Sequence, residues 1–199
     1  MKTRITLLIK TGITAILVST LLIFVSCGNR QSKSTGENGS SVAQTRPQPP
    51  AMDIHTATVT GDLKVIQKHI SAGSDLNSKD PVGGSTPLIT AIVFGKTEVA
   101  GALIAAGADI NSTNNEGSTP LYCAAFFGRT DLVRLLLDKG ADKNTRNIFG
   151  STALESVSVP FNNIKGVYDQ VSKDLGPFGF KLDYNKLEEA RPIIADMLR

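Results

Sequence analysis

The 199-residue chain carries few side chains able to do chemistry. Its two histidines, His55 and His69, stand 14 residues apart, and no cysteine or carboxylate flanks them at metal-ligand spacing. No metal and no cofactor are therefore expected. Gly95-Lys96-Thr97 imitates the end of a phosphate-binding loop, but Thr90 stands where that loop needs its first glycine. There is no Gly-x-Ser-x-Gly turn to present a serine nucleophile. Cys123 has no evident base and falls in an apolar helical stretch, the pattern of a packed small side chain. Glu188-Glu189 is a solvated helix face, since adjacent helical positions do not converge on one substrate. The sequence reads as that of a non-enzyme, and its information lies in what the remaining residues build.

The start of the chain is set apart from any fold. Lys2, Arg4 and Lys10 precede an uncharged apolar run, Thr11 to Val25, and then Ser26-Cys27. The run is shorter than the ~20 residues that span a membrane as a helix, and reads as a secretory signal. With its cysteine directly after a small residue, it resembles a bacterial lipoprotein signal, although Phe24 stands where that family usually has leucine. The resemblance implies cleavage before Cys27 and a lipid on its sulfur. It also implies an envelope location facing the periplasm, with the outer membrane favoured because Gly28, not aspartate, follows the cysteine. An uncleaved anchor, or ordinary cleavage beside a chance cysteine, are the other readings of the same letters.

Removing residues 1–26 lowers Lys plus Arg from 21 to 18, against 18 Asp plus Glu. A balanced chain offers no basic surface for nucleic acid. With Cys27 lipidated, Cys123 stands alone and no intramolecular disulfide can form. Residues 27–51 are rich in Ser, Gly, Gln, Asn and Pro and poor in large apolar residues, the composition of a disordered tether.

From residue 52 onward the sequence repeats. GSTPL, GSTPL and GSTAL begin at Gly84, Gly117 and Gly150, 33 residues apart each time. Gly61, Gly95 and Gly128 recur in step, as do Asn77, Asn111 and Asn144, and the Gly-Ser-Asp or Gly-Ala-Asp triplets at Gly73, Gly107 and Gly140. Thr86 and Thr119 can cap a helix whose first residue is Pro87 or Pro120, where the missing N–H costs nothing. Val99, Ala100, Leu103 and Ile104, matched by Leu132, Val133, Leu136 and Leu137, form one apolar face of a second helix. Gly107 and Gly140 end it in the left-handed conformation. Gly140→Val is expected to cost several kcal/mol, through strain plus crowding.

A period near 33 with Thr-Pro-Leu and Gly-Ala-Asp closely resembles the ankyrin repeat. The resemblance implies an all-α solenoid of four helix-turn-helix repeats with β-turn tips, at about 52–80, 81–114, 115–147 and 148–199. The first repeat lacks Thr-Pro, and Asp53 takes the capping place there. His55 falls at the family's histidine, which implies a hydrogen bond to neighbouring backbone, and His69 occupies a usual leucine position. The last repeat holds a helical insertion at about 161–187. Ile164, Val167, Tyr168, Val171 and Leu175 have helical spacing, Gly176 to Gly179 forms a turn, and a short helix from Tyr184 ends or kinks at Pro192. Residues 192–198 then supply the repeat's second helix. The insertion is either a cap over the last interface or an element specific to a partner.

The ankyrin resemblance further implies binding of a protein partner, through a concave surface of tips and first helices. On this chain the tip positions include Lys79, Val82, Thr113, Glu116, Arg146, Ile148 and Phe149. The first-helix positions are Val93, Phe94, Phe126 and Phe127. The four last-named are apolar just before a helix-ending glycine, where water alone would favour polar residues. With Ile148 and Phe149 they are expected to make an apolar patch ringed by Lys79, Glu116 and Arg146, the make-up of a binding hot spot. The alternative is that they pack on each other or on the insertion. If the patch is open, Phe126→Ser with Phe127→Ser abolishes capture of a partner while stability stays within about 1–2 kcal/mol of wild type. The expected protein is a monomeric, lipid-anchored binder, with an inhibitory, immunity-type or stress-protective role. The competing reading is a ligand site or active site between insertion and concave face, using Tyr168, Lys181, Asp183 and Tyr184.

Overall fold

A computed structural model describes residues 47–199. The expected signal sequence, Cys27 and the expected tether as far as residue 46 lie outside the described residues. Four helices open the repeats: α1 (Ile54–Thr60), α3 (Pro87–Val93), α5 (Pro120–Phe126) and α7 (Ala153–Ser158). Four return antiparallel to them: α2 (Leu63–Ala72), α4 (Thr97–Ala105), α6 (Thr130–Asp138) and α9 (Tyr184–Leu198). The fifteen-residue α8 (Phe161–Leu175), followed by a 3₁₀ turn at Gly176–Phe178, lies between α7 and α9 in sequence. Among the described residues there is no strand.

Short-range chemistry accounts for the helix starts. The Thr86 and Thr119 hydroxyls accept from the backbone N–H of Ile89 and Tyr122, and a proline opens each helix. Asp53 does the same for α1, accepting from His55 N and Thr56 N. Thr152 and Glu155 cap α7 reciprocally, each side chain accepting from the other's backbone N–H.

None of these helices has a core of its own. Neighbouring first helices pack in one layer and neighbouring second helices in another, so each repeat is closed by the next. Ala57, Ala91 and Ala124 are fully buried, and a larger side chain there would hold the layers apart. Polar ties fix the stacking register. Asn77 Oδ1 accepts from Asp109 N (2.8 Å) and Asn111 Oδ1 from Asp142 N (3.0 Å), so each repeat's asparagine holds the turn of the next. Arg129 donates from Nη2 to Val93 O (3.1 Å) and from Nε to Ile92 O (3.3 Å), satisfying carbonyls at the end of α3.

Three expectations are corrected. The helix from Tyr184 does not end at Pro192; α9 is assigned as one helix to Leu198. Proline removes the bond to the carbonyl four residues back, but Glu188 is exposed and water can serve that carbonyl. The His55 ring does not hold backbone: among the described residues Nε2 meets Ser78 Oγ at 3.5 Å and the buried Nδ1 has no partner. His69 does so instead: Nε2 donates to Met52 O (2.8 Å) while Nδ1 accepts from Ser74 Oγ (2.9 Å), which pins the chain before α1 over the first repeat. Gly140 has φ +82° with open space where a side chain would stand, so a substitution there meets strain without crowding.

Candidate binding cleft beneath the insertion

Three tips face the same way along the solenoid, each organised by one short polar side chain. Asp80 accepts from the backbone N–H of Val82, Gly83 and Ser85, and Asn114 Oδ1 from Glu116 N and Ser118 N. Asn147 Oδ1 accepts from Phe149 N and Ser151 N, both at 3.0 Å. Such Asx turns lock the loop from inside. Adjacent tips are tied through backbone: Asn115 N donates to Gly83 O (2.9 Å) and Ile148 N to Glu116 O (2.8 Å).

The insertion packs on the repeats through its aromatic residues. It folds back across the first helices. Tyr168 of α8 is fully buried and its hydroxyl donates to Phe126 O (2.8 Å), while the two rings stand 4.7 Å apart. Phe180, beyond the 3₁₀ turn, meets Phe127 edge-on at 5.6 Å and Phe94 at 6.2 Å. Arg191 of α9 anchors this layer from behind. It is buried, and donates to Tyr168 Oη (2.9 Å), Ser156 O (3.2 Å) and Val159 O.

The expected open patch is thereby corrected. Phe126 and Phe127 are only 5% and 8% exposed, because the insertion supplies their apolar neighbours. They are core, and the Phe126/Phe127 double substitution cannot separate binding from folding. Val93 and Phe94 are half-buried against the same layer. Of the tip residues, Ile148 stands 68% exposed and Phe149 is half-buried. Lys79 is exposed and donates to Thr113 O (2.7 Å), tying those two positions to each other. Arg146 makes an exposed ion pair with Glu155 (2.7 Å). Val82 and Glu116 are half-buried and face inward.

What the insertion leaves uncovered is a cleft of about 310 Å³ between tips, first helices and α8. Val93, Phe94, Tyr122 and Phe126 line one wall, Val171, Leu175 and Phe178 the other, and Val82, Glu116 and Phe149 the tip side. The polar groups in it that lack hydrogen-bond partners among the described residues include the Nδ1 of His55, the Glu116 carboxyl and the Nδ2 of Asn147. The Glu116 carboxyl makes no hydrogen bond or ion pair, and loss of water pushes its pKa up to about 7. The Nδ2 of Asn147 is fully buried beside the Tyr122 phenol, and makes no hydrogen bond of normal geometry. Burial also raises the Tyr122 phenol above its ordinary range and pushes the Cys123 thiol up to about 12, so Cys123 is an inert packing residue.

The four residues of the alternative site are not brought together there. Tyr168 is locked in the core. Asp183 caps α9, Tyr184 donates to Asp169 Oδ1 (2.9 Å), and Lys181 is exposed outside the cleft. Sequence reasoning passed over Asn147, although its spacing from Asp80 and Asn114 marked it as a tip organiser. It also passed over Phe180 and Arg191, for which no local pattern gives a signal. Among the described residues no cluster of three or more metal-ligating side chains occurs, and no helix is long and apolar enough to cross a membrane.

Residues 54–147 match the family model for ankyrin repeats, in three copies, which is the span of α1 to α6 and the three tips. No curated protein matches the chain. The fold is accordingly an all-α ankyrin-type solenoid, and ankyrin repeats are modules of protein–protein interaction.

Proposed function

We propose, from the premise that ankyrin repeats occupy residues 54–147, that this chain is a lipid-anchored envelope protein that binds a protein partner through its repeat tips. Ile148 carries the reading. It is a large apolar side chain, 68% exposed, on a tip fixed by its own backbone bond to Glu116 O. Phe149 follows it in the same tip, and the exposed Arg146–Glu155 pair supplies charged neighbours. A rigid apolar point in a polar rim suits docking, because little ordering entropy opposes it. A lipid on Cys27 would confine the search to a shell near the membrane and raise the effective concentration. The proposed protein acts as a monomer, binds no nucleic acid, performs no catalysis, and faces the periplasm from the outer membrane. Inhibition of an envelope enzyme or toxin, or a stress-protective role, belongs to this reading.

Crosslinking in intact envelopes tests it. One partner should be captured by wild type and lost with Ile148→Asp, a surface change expected to alter stability by no more than about 0.5 kcal/mol. Equal capture by Ile148→Asp would overturn the tip as the binding surface. Metabolic labelling with a fatty acid tests the anchor: Cys27→Ser should lose the label and leave the membrane fraction. A second reading, ligand binding in the cleft, is favoured by the unpartnered Glu116 carboxyl and Asn147 amide.

A further inference from the structure

The cleft holds an acceptor and a donor that the fold itself does not use. Glu116 occupies a place where the neighbouring tips carry Val82 and Phe149, so a carboxylate is not required for the turn. Asn147 spends its oxygen on the turn and leaves its buried Nδ2, beside the Tyr122 phenol, without a hydrogen bond of normal geometry, and the residue is only 6% exposed. Both belong to tips joined by the Ile148 N to Glu116 O bond, so they stand at the same end of the cleft. Beyond them the walls are mainly apolar and aromatic, with His55, Asp80 and Thr90 among the polar residues of the lining.

We propose that the cleft binds an apolar aminoacyl group: a hydrophobic side chain whose α-carbon carries a cationic amine and a carbonyl, as at the N-terminus of a peptide. The ammonium pairs with Glu116, the carbonyl oxygen accepts from Asn147 Nδ2, and the side chain fills the space between Tyr122 and the insertion. Each part answers one feature. An unpaired carboxylate in a low-dielectric cleft selects a cation, since a neutral ligand would leave it desolvated and unmatched. An unpaired buried N–H selects an acceptor. The volume and lining select a single apolar side chain. A free amino acid is disfavoured, because its carboxylate would stand near that of Glu116. The proposal rests on the second reading above and not on the outer face of Ile148.

Calorimetric titration of the full chain at neutral pH tests it, using L-phenylalaninamide, the tripeptide amide Phe-Gly-Gly-NH₂, N-acetyl-L-phenylalaninamide and phenethylamine. The two ligands with a free amine and a carbonyl should bind saturably. Acetylation should weaken binding roughly tenfold or more, as should Glu116→Gln. Phenethylamine should bind more weakly than phenylalaninamide to wild type. Asn147→Asp should erase that difference while the protein stays folded, because Asp80 already organises an equivalent tip. Binding of only the tripeptide amide would identify a peptide N-terminus as the source, and binding of only phenylalaninamide a small molecule. Absence of saturable binding by all four probes, equal affinity for the acetylated probe, or undiminished binding by Glu116→Gln would each overturn the assignment. The Ile148→Asp variant should bind the probes normally, so failure here is distinguishable from failure of the protein-docking surface.

Discussion

A carboxyl that loses water without gaining a partner holds its proton to higher pH, and Glu116 is such a group. Its pKa is raised from 4.5 to about 7 by burial. The folded protein therefore binds this proton more tightly than the unfolded chain does. The resulting stability is complete below about pH 4.5 and is lost as pH rises through 7. Glu116→Gln, which mimics the protonated acid, should match wild type near the lower limit. Above pH 7 it should be more stable by on the order of 1–2 kcal/mol, discounted for partial solvent screening. Urea titrations of both proteins across this range check it, and the difference between them cancels all other titrating groups. Glycine offers a second contrast. A Cβ on Gly84 (φ +63°) would stand 2.2 Å from Asn115 Oδ1 and 3.2 Å from Asn115 N, whereas one on Gly140 (φ +82°) meets nothing. Gly140→Ala should cost about 1–2 kcal/mol, the strain alone, and Gly84→Ala about 1–3 kcal/mol more. Equal losses in denaturant melts would mean that the Asn115 loop moves freely aside. Caps and turn glycines of this kind were legible in the sequence because each is settled by partners within a few residues, as Thr86 and Thr119 are.

At the scale of the element, α8 and α9 depend on one another through a charge with no carboxylate. Arg191 is buried against a phenol and two carbonyls, and the same phenol donates onward to Phe126 O. Burial lifts the Tyr168 hydroxyl to about 12, so it remains a donor at any physiological pH. Tyr168→Phe would leave a guanidinium N–H and a carbonyl unpaired in the core, a loss of roughly 2–4 kcal/mol. Because the broken bonds belong to α8, amide exchange should accelerate there and in the 3₁₀ turn while α1 to α4 keep their protection. Uniform acceleration would show that the insertion folds as one unit with the repeats. The helical spacing of Ile164, Val167, Tyr168, Val171 and Leu175 announced α8, and all five are buried. Where it would lie was not announced. Tyr168 reaches a carbonyl 42 residues away, and periodicity names the apolar face of a helix without naming what it faces. Pro192 misled for the opposite reason: the local rule was right about the lost bond and silent about Glu188 being open to solvent.

The whole molecule is a one-dimensional stack that has been made partly three-dimensional. In a plain solenoid each repeat touches only its neighbours, and the face of the first helices stays open. Here the last repeat sends α8 back over the third, so Phe126 and Phe127, apolar where an open groove would favour polar residues, become interior. The repeat period could be read from the letters; this return path could not, because it is written once and repeats nothing. The consequence is a division of labour between a covered core, a cleft at its edge and an exposed tip, and substitutions at the three places should behave differently. Phe126→Ser with Phe127→Ser removes two buried rings and should unfold the third and fourth repeats, at roughly 3–5 kcal/mol for each ring. Ile148→Asp removes a side chain that water already touches and should leave the melt unchanged. Glu116→Gln should keep the fold, gain stability only towards and above pH 7, and alter what the cleft accepts. Thermal melts run beside partner capture and probe titration separate these outcomes. A stable Phe126/Phe127 double variant would mean that the insertion can lift away from the repeats, and the face beneath it would then be a surface that this protein opens and closes.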